Sequence, residues 1–261
     1  MNFSQAITKL PANTFAEGLS SSNLGRPDYD LALKQHEHYR QALESCGVNV
    51  ITLDEETEFP DSTFVEDTAI LTSNFAVITN PGAISRQGEI KHIESTLGQF
   101  YDQFFYIKAP GTLDGGDICQ AEDRFFIGIS NRTNKAGADQ LKSILQSKNY
   151  ITDFVDIRQS SDLLHLKSGL AFIGNKTMVV TQELAKHSAF NGYKHIIINE
   201  NETYSANCIR INKFVLIAQG YPVLEKMLQE SGFKTISLAM SEFQKMDGGL
   251  SCLSLRFKSS L

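Results

Sequence analysis

Cys252 lies just past a glycine pair, in the run KMDGGLSCLSLRF at 245–257. A thiol at a strand mouth, where Gly248 and Gly249 leave room for another group to approach the backbone, is a candidate nucleophile. The bland alternative is a small buried hydrophobe, a common fate of free cysteines. His165, in HLKSG, is a candidate acid/base, and Asp114 or Asp117, in LDGGD, a carboxylate to orient it. Taken singly, the histidine reads equally as a satisfied core residue and either aspartate as a turn cap. The segment FPDSTFVEDT at 59–68 adds Asp61, Glu66 and Asp67, interleaved with Phe59, Phe64 and Val65. Carboxylates at a strand mouth suit a planar, bidentate cation such as guanidinium. Oxygen ligation of a metal competes, and is disfavoured because a thiol nucleophile needs no metal.

These residues are scattered, so the elements must bring them together. Alternation over 250–257, with Leu253, Leu255 and Phe257 on one face, predicts a strand that contains Cys252. A strand is expected over 2–7, and 11–26 is a polar, glycine-rich loop, long enough to be a lid. A helix opened by Pro27 carries Ala32, His36, Tyr39 and Leu43 on one face, and a strand follows over 48–53. A unit then recurs. Strands around Ser73-Asn74 within 68–79 lead to a helix over 86–100 and a strand over 104–108. Strands over 117–121 and 124–129 lead to a helix over 134–148 and a strand over 151–157. The third copy has strands over 170–173 and 177–181, a poor helix after Gln182 and a strand over 195–198; the fourth has strands over 208–211 and 214–218, a helix over 221–231 and a strand over 235–238. The Cys252 strand opens a fifth copy, completed by the N-terminal segment. Five ββαβ units of about 40–50 residues predict a ring closed by the chain ends, against the alternative of an open α/β sheet. If the first strands line the ring axis, their entries (FVEDT, LDGGD, HLKSG, YSANC, MDGGLSC) converge, and Asp114, His165 and Cys252 meet.

Composition narrows the function classes. The chain of 261 residues is 41% hydrophobic and 21% charged, ordinary for a water-soluble fold. A net charge of −6 argues against nonspecific nucleic-acid binding and agrees with a cationic ligand. No apolar run approaches ~20 residues, so no membrane span is expected, and the N-terminus MNFSQAITKL lacks the pattern of a signal peptide. Cys46, Cys119, Cys208 and Cys252 form no C-x-x-C pair or Cys/His cluster, which predicts free thiols, no zinc and a cytoplasmic location. His36 and His38, two apart on a helix, cannot ligate from one face.

FPDSTFVEDT, TLDGGD, NRTN, LHLKSG, ANCI and DGGLSC, in this order and with EGLSSSNLGRPDY upstream, resemble the dimethylarginine dimethylaminohydrolases of the guanidino-group-modifying, or pentein, superfamily. The resemblance covers essentially the whole chain. It implies a single catalytic domain over 1–261, a five-bladed α/β propeller, and hydrolysis of Nω-methylated arginine to citrulline and methylamine or dimethylamine without a cofactor. It implies Cys252 as nucleophile, His165 as general acid/base and Asp114 as its orienting carboxylate. Asp61, Glu66 and Asp67 match guanidinium-pocket positions, and Arg86 and Arg132 match residues that grip the α-carboxylate. Leu19 matches the lid loop, and Met246 a backbone contact to the α-amino end. A hydrolase of free arginine or citrulline is the near alternative; a catalytically silent amino-acid-binding module is the distant one. A homodimer is left open, with no edge identified for it. The three carboxylates are expected to hold Cys252 as a thiol in the empty site, until a bound cation offsets them.

Overall fold

The computed structural model describes residues 2–160 and 163–259. In chain order the elements are β1 (Gln5–Lys9), α1 (Tyr29–Ser45), β2 (Asn49–Leu53), β3 (Ala69–Leu71), β4 (Ala76–Ile78), α2 (Ile90–Leu97), β5 (Phe104–Tyr106), β6 (Ile118–Ala121), β7 (Arg124–Ile129), α3 (Lys135–Ser147), β8 (Ile151–Asp156), β9 (Leu170–Gly174), β10 (Thr177–Thr181), β11 (Lys194–Ile198), β12 (Ile209–Ile211), β13 (Phe214–Ala218), α4 (Pro222–Glu230), β14 (Lys234–Leu238), α5 (Ser241–Gln244) and β15 (Leu255–Phe257). They form five three-stranded sheets: β3-β4-β5, β6-β7-β8, β9-β10-β11, β12-β13-β14 and β15-β1-β2. In each, the middle strand pairs antiparallel with the first and parallel with the third. The parallel step needs a crossover, which an α-helix supplies in four of the sheets and the segment between β10 and β11 supplies without one in β9-β10-β11. The fold is a five-bladed α/β propeller of ββαβ units, its last blade completed by β1 and β2.

The helices form where the apolar period says they should. On α1 the expected face of Ala32, His36, Tyr39 and Leu43 is buried. Its start is fixed by the Asp28 carboxylate, which accepts the Leu31 N–H at 2.9 Å. On α3 Ala138, Leu141 and Leu145 are wholly buried, and Asn134 caps the helix through the Gly137 N–H at 2.8 Å. A fully buried leucine contributes about 1.5–3 kcal/mol.

Three expectations change. Residues 184–190 make two 3-10 turns, Leu184–Lys186 and Ser188–Phe190, not a helix. His187 accepts the Ala189 N–H at 3.2 Å, and buried Phe190 anchors the segment edge-on to Phe126, so side-chain capping and one aromatic replace a periodic face. The helix expected over 86–100 begins as a 3-10 helix, Ile84–Glu89, before α2. In that geometry side chains three apart align, which lets Arg86 pair with Glu89. The strand expected over 250–257 is shortened to β15; Cys252 sits in a 3-10 turn, Ser251–Leu253. Arg256 causes this by taking the Ser251 and Ser254 carbonyls at 2.9 and 2.6 Å. Leu253, Leu255 and Phe257 are nevertheless all buried, as the alternation predicts.

Candidate active site

Each blade enters its first strand through a 3-10 turn: Val65–Thr68, Gly115–Asp117, Leu166–Ser168, Glu200–Ala206 and Ser251–Leu253. The first turn packs on the second and the fifth, the second on the third, and the third on the fourth. Asn207 joins the fourth to the fifth through Ser251. The five entries thus converge on the axis, and the side chains they carry come together.

Asp114 and His165 are buried, with Asp114 Oδ2 and His165 Nε2 3.0 Å apart. The Gly82 N–H donates to the other carboxylate oxygen at 2.7 Å. Burial opposes the Asp114 charge, but the His165 hydrogen bond and charge, with Arg86, hold the carboxyl below its usual range. Burial alone would push His165 down; Asp67, the Asp114 hydrogen bond and Asp117 outweigh it and lift it to about 9. At neutral pH the pair is carboxylate and imidazolium. Asp117, offered by the sequence as an alternative orienter, lies beneath. It accepts the Leu166 N–H at 3.0 Å and the Ser130 hydroxyl at 2.7 Å, so it caps the turn that carries His165. Gly116 is required here: a Cβ would sit 2.7 Å from His165 Nδ1 and 3.0 Å from Asp67 Oδ1.

Cys252 is half-buried. Burial first, then Glu66 and Asp67, pushes its thiol up to about 12, against the Gly249 N–H and Lys167. The carboxylates act in the expected direction, but desolvation is the larger cause. The turn is held from three sides. The Tyr39 hydroxyl on α1 donates to the Leu250 carbonyl at 2.9 Å, Tyr204 donates to the Gly248 carbonyl at 2.8 Å, and the Gly249 N–H reaches Cys252 Sγ at 3.4 Å.

The acid cluster is at the same mouth, and every carboxylate in it has a partner. Glu66 pairs with Lys167 at 2.6 Å and Arg256 at 2.8 Å, and accepts the Ser251 hydroxyl at 2.6 Å. Asp67 accepts the Gly116 N–H at 2.8 Å and Arg86 at 2.5 Å. Asp61 accepts the Leu19 N–H at 3.1 Å; burial raises its carboxyl, with Arg86 opposing. Arg86 is itself buried and committed: to Asp67, to Glu89 at 2.8 Å and to the Phe64 carbonyl at 2.9 Å. Arg132 is half-buried and its guanidinium makes no ion pair among the described residues, although its charge reaches Asp61. Leu19 is 44% exposed on a loop tied down by Ser20 to the Lys245 carbonyl at 2.8 Å and by the Ser21 N–H to Asp247 at 2.5 Å. Met246 is buried under this loop, its Cε close to Gly18.

Asp67, Asp114 and His165 offer ligand atoms within 4.8 Å of one another, the spacing of a metal site. Their atoms are otherwise engaged, by Arg86 and Gly116, by Gly82, and by each other. Lys167, Arg256, Ser251, Asn207 and Glu89 are site residues that sequence reasoning missed. Lys167 stood within HLKSG and Glu89 three residues past Arg86; Arg256 sat in an alternating strand, where nothing marked it.

The sequence model of the family described as N,N dimethylarginine dimethylhydrolase, eukaryotic, matches residues 11–249. This chain belongs to the dimethylarginine dimethylaminohydrolase family. A family relative, the N(G),N(G)-dimethylarginine dimethylaminohydrolase of Pseudomonas aeruginosa, is 42% identical over 256 residues, which span 98% of this chain and 100% of the relative. The family member from Streptomyces coelicolor is 29% identical over 97% of each chain. A solved structure of the Pseudomonas aeruginosa protein, a cysteine-to-serine mutant complexed with citrulline, superposes with a TM-score of 0.95 at 41% identity, covering 98% of this chain and 100% of that one. The N-terminal domain of an arginine dihydrolase from cyanobacteria superposes with a TM-score of 0.87 at 16% identity, over 98% of both chains, and shares the fold. No helix among the described residues is long and apolar enough to cross a membrane.

Proposed function

We propose that residues 1–261 act as one catalytic unit that hydrolyses Nω-methylated arginine to L-citrulline and methylamine or dimethylamine. The observation that carries this is the buried Asp114–His165 pair, set at the same axial mouth as the Cys252 thiol, with Asp67 acting on both His165 and Cys252. Family membership and the citrulline complex of the Pseudomonas aeruginosa relative support it.

The substrate guanidinium lies against Asp61, Glu66 and Asp67. Its charge offsets the carboxylates, which add to burial in keeping Cys252 protonated, and the thiol releases its proton to solvent. The thiolate adds to the guanidinium carbon. Imidazolium His165 gives its proton to the methylated nitrogen, the C–N bond breaks and the amine leaves, with a thiouronium left on Cys252. Neutral His165 then takes a proton from water, whose oxygen adds to the same carbon. Collapse expels the Cys252 thiolate, which takes up the proton left on the added oxygen, so that citrulline and the resting thiol form. Asp114 holds the ring and stabilises its charged form. Arg132 receives the substrate α-carboxylate, since its guanidinium makes no ion pair among the described residues; Arg86 reaches a ligand only by giving up a present partner. Leu19 and Met246 flank the α-amino end. The cysteines, all without a disulfide partner, support a reducing compartment, the cytoplasm, as the protein's location.

The test is citrulline release from asymmetric dimethylarginine, monomethylarginine, arginine and agmatine in parallel, by wild type and Cys252→Ser. Turnover of the methylated arginines alone, lost in a folded Cys252→Ser, is expected. Turnover of arginine but not its methylated forms, or of none, overturns the substrate assignment. Activity retained in Cys252→Ser overturns the nucleophile.

A further inference from the structure

Within the ANCI run, Asn207 has no part in the chemistry above, yet its side chain stands between the two turns that carry it. It follows the Glu200–Ala206 entry turn of the fourth blade and is 8% exposed. Its Nδ2 donates at 3.1 Å to the carbonyl of Lys167, two residues from His165. The same nitrogen lies 3.1 Å from Ser251 Oγ and 4.0 Å from Cys252 Sγ. Its Oδ1 accepts the Ser251 N–H at 2.8 Å. We propose that Asn207 is a positioning residue for the nucleophile: it ties the His165 turn to the Cys252 turn and presents an amide N–H to the Cys252 sulfur.

The chemistry of the amide supports this assignment. An amide NH2 has two hydrogens, and here three acceptors surround it. Ser251 already donates its own hydroxyl proton to Glu66, so its oxygen is free to accept. A neutral thiol is a weak acceptor and ranks last of the three, which agrees with its long contact. A thiolate is a charged acceptor and competes far better, since hydrogen bonds to ions are roughly twice as strong as neutral ones. The amide therefore turns towards sulfur when the thiol ionises, and joins the Gly249 N–H as the second donor to it. Gly249 is matched to this role: a Cβ there would sit 2.5 Å from the Asn207 amide carbon and push it away.

The Cys252 turn keeps the Tyr39 and Tyr204 hydrogen bonds without Asn207, so substitutions there leave it anchored. Asn207→Asp preserves shape and the acceptor for the Ser251 N–H, but replaces the donor with a negative charge beside the sulfur. Asn207→Ala removes both functions.

The inference rests on Cys252 being the nucleophile, and the experiment separates the two. Alkylation of Cys252 by iodoacetamide is followed at pH 8 by the mass of its peptide, beside kcat and KM. Below the thiol's midpoint the rate is proportional to the thiolate fraction. Loss of a hydrogen bond to a charged group predicts alkylation roughly tenfold slower in Asn207→Ala, and slower still in Asn207→Asp. Values of kcat should fall in the same order, with KM little changed. Both variants should melt cooperatively. Wild-type alkylation rates in both variants overturn the inference even if kcat falls, because a clamp with only a structural role leaves the thiol's ionisation unchanged. An active Cys252→Ser instead removes the nucleophile reading, and this inference with it.

Discussion

At the scale of single residues, the site is a set of charges that hold one another in place. His165 stays protonated up to about 9 because three carboxylates outweigh its burial. If the imidazolium is the acid that frees the amine, kcat falls as pH rises through about 9. Asp114→Asn removes one of the carboxylates and the ionic hydrogen bond. Its alkaline limb should move to lower pH, and kcat should drop by ~10²-fold or more, the scale of acid–base catalysis. An unmoved limb in the pH profile would take the acid role from His165. The raised value is also a stability statement. The contribution is fully present below pH 6.5 and is lost as pH rises through about 9. The two arginines separate in the same way. Arg132→Ala should raise KM for methylarginine substrates by about 30-fold, or ~2 kcal/mol, with a smaller change for analogues lacking the carboxylate. Arg86→Ala leaves Asp67 and Glu89 buried without their cation, and should lower unfolding free energy by ~3–5 kcal/mol in urea titration. A fully stable Arg86→Ala would show that its ion pairs contribute little. Residue types made Cys252, His165 and the acids legible as candidates. The cations that neutralise them were not, because Lys167 and Arg256 look like any solvent-facing lysine or strand arginine until the ring closes over Glu66.

At the scale of elements, the period of the apolar residues was legible and its interruptions were not. α3 and α4 lie within one residue of their expected bounds and α1 starts two residues after Pro27, because strong periodicity and side-chain or proline starts act together. The 3-10 entry turns were invisible, since they are shaped by contacts across the axis: Arg256 with the carbonyls of 251 and 254, and Asp117 with Leu166. α1 contains the clearest conflict between pattern and chemistry. His36 occupies a core position of the helix face, at 0% exposure, and neither ring nitrogen has a hydrogen-bond partner among the described residues. Burial first, then Arg40, lowers it to about 3. An unsatisfied buried polar group costs about 1–3 kcal/mol, so His36→Leu should stabilise the fold by ~1 kcal/mol near pH 7. The gain must grow on acidification. The unfolded chain takes up a proton near pH 6.5 that the folded site refuses until about 3. Wild type therefore loses up to ~1.4 kcal/mol per pH unit as pH falls through that window. Denaturant titrations of both proteins at pH 7 and pH 5 should show the difference widening by ~2 kcal/mol. A constant difference would mean His36 gains a partner or solvent that its surroundings do not show.

At the scale of the whole molecule, the recurrence of one unit made the ring legible, and the ring explains why Asp114 reaches His165 and why the turn that carries Cys252 packs at the same axis. Closure is made by β1, which pairs antiparallel with β15 and parallel with β2. The Ser259 N–H donates to Ser4 Oγ at 2.9 Å, so the two ends of the described chain lie side by side. They fall between the first and second strands of the fifth sheet, the place occupied in the other four by a hairpin turn. Cyclic architecture of this kind has no privileged blade. The exposed turn Glu122–Asp123, between β6 and β7, is the equivalent point of the second blade. Joining the ends through a flexible linker of about six residues and opening the chain there moves the closure to β6-β7-β8 and leaves every entry turn intact. Breaks at exposed tips are well tolerated, and closing a loop costs little more as it lengthens. The permutant should melt in one cooperative transition and keep kcat/KM within about tenfold of wild type. Opening the same circle between Gly115 and Gly116 should abolish turnover, since it cuts the turn that holds Asp114 against His165. If the Glu122 permutant fails to fold while the purified parent chain is stable, closure by β1 is a folding requirement of its own and the blades are not interchangeable.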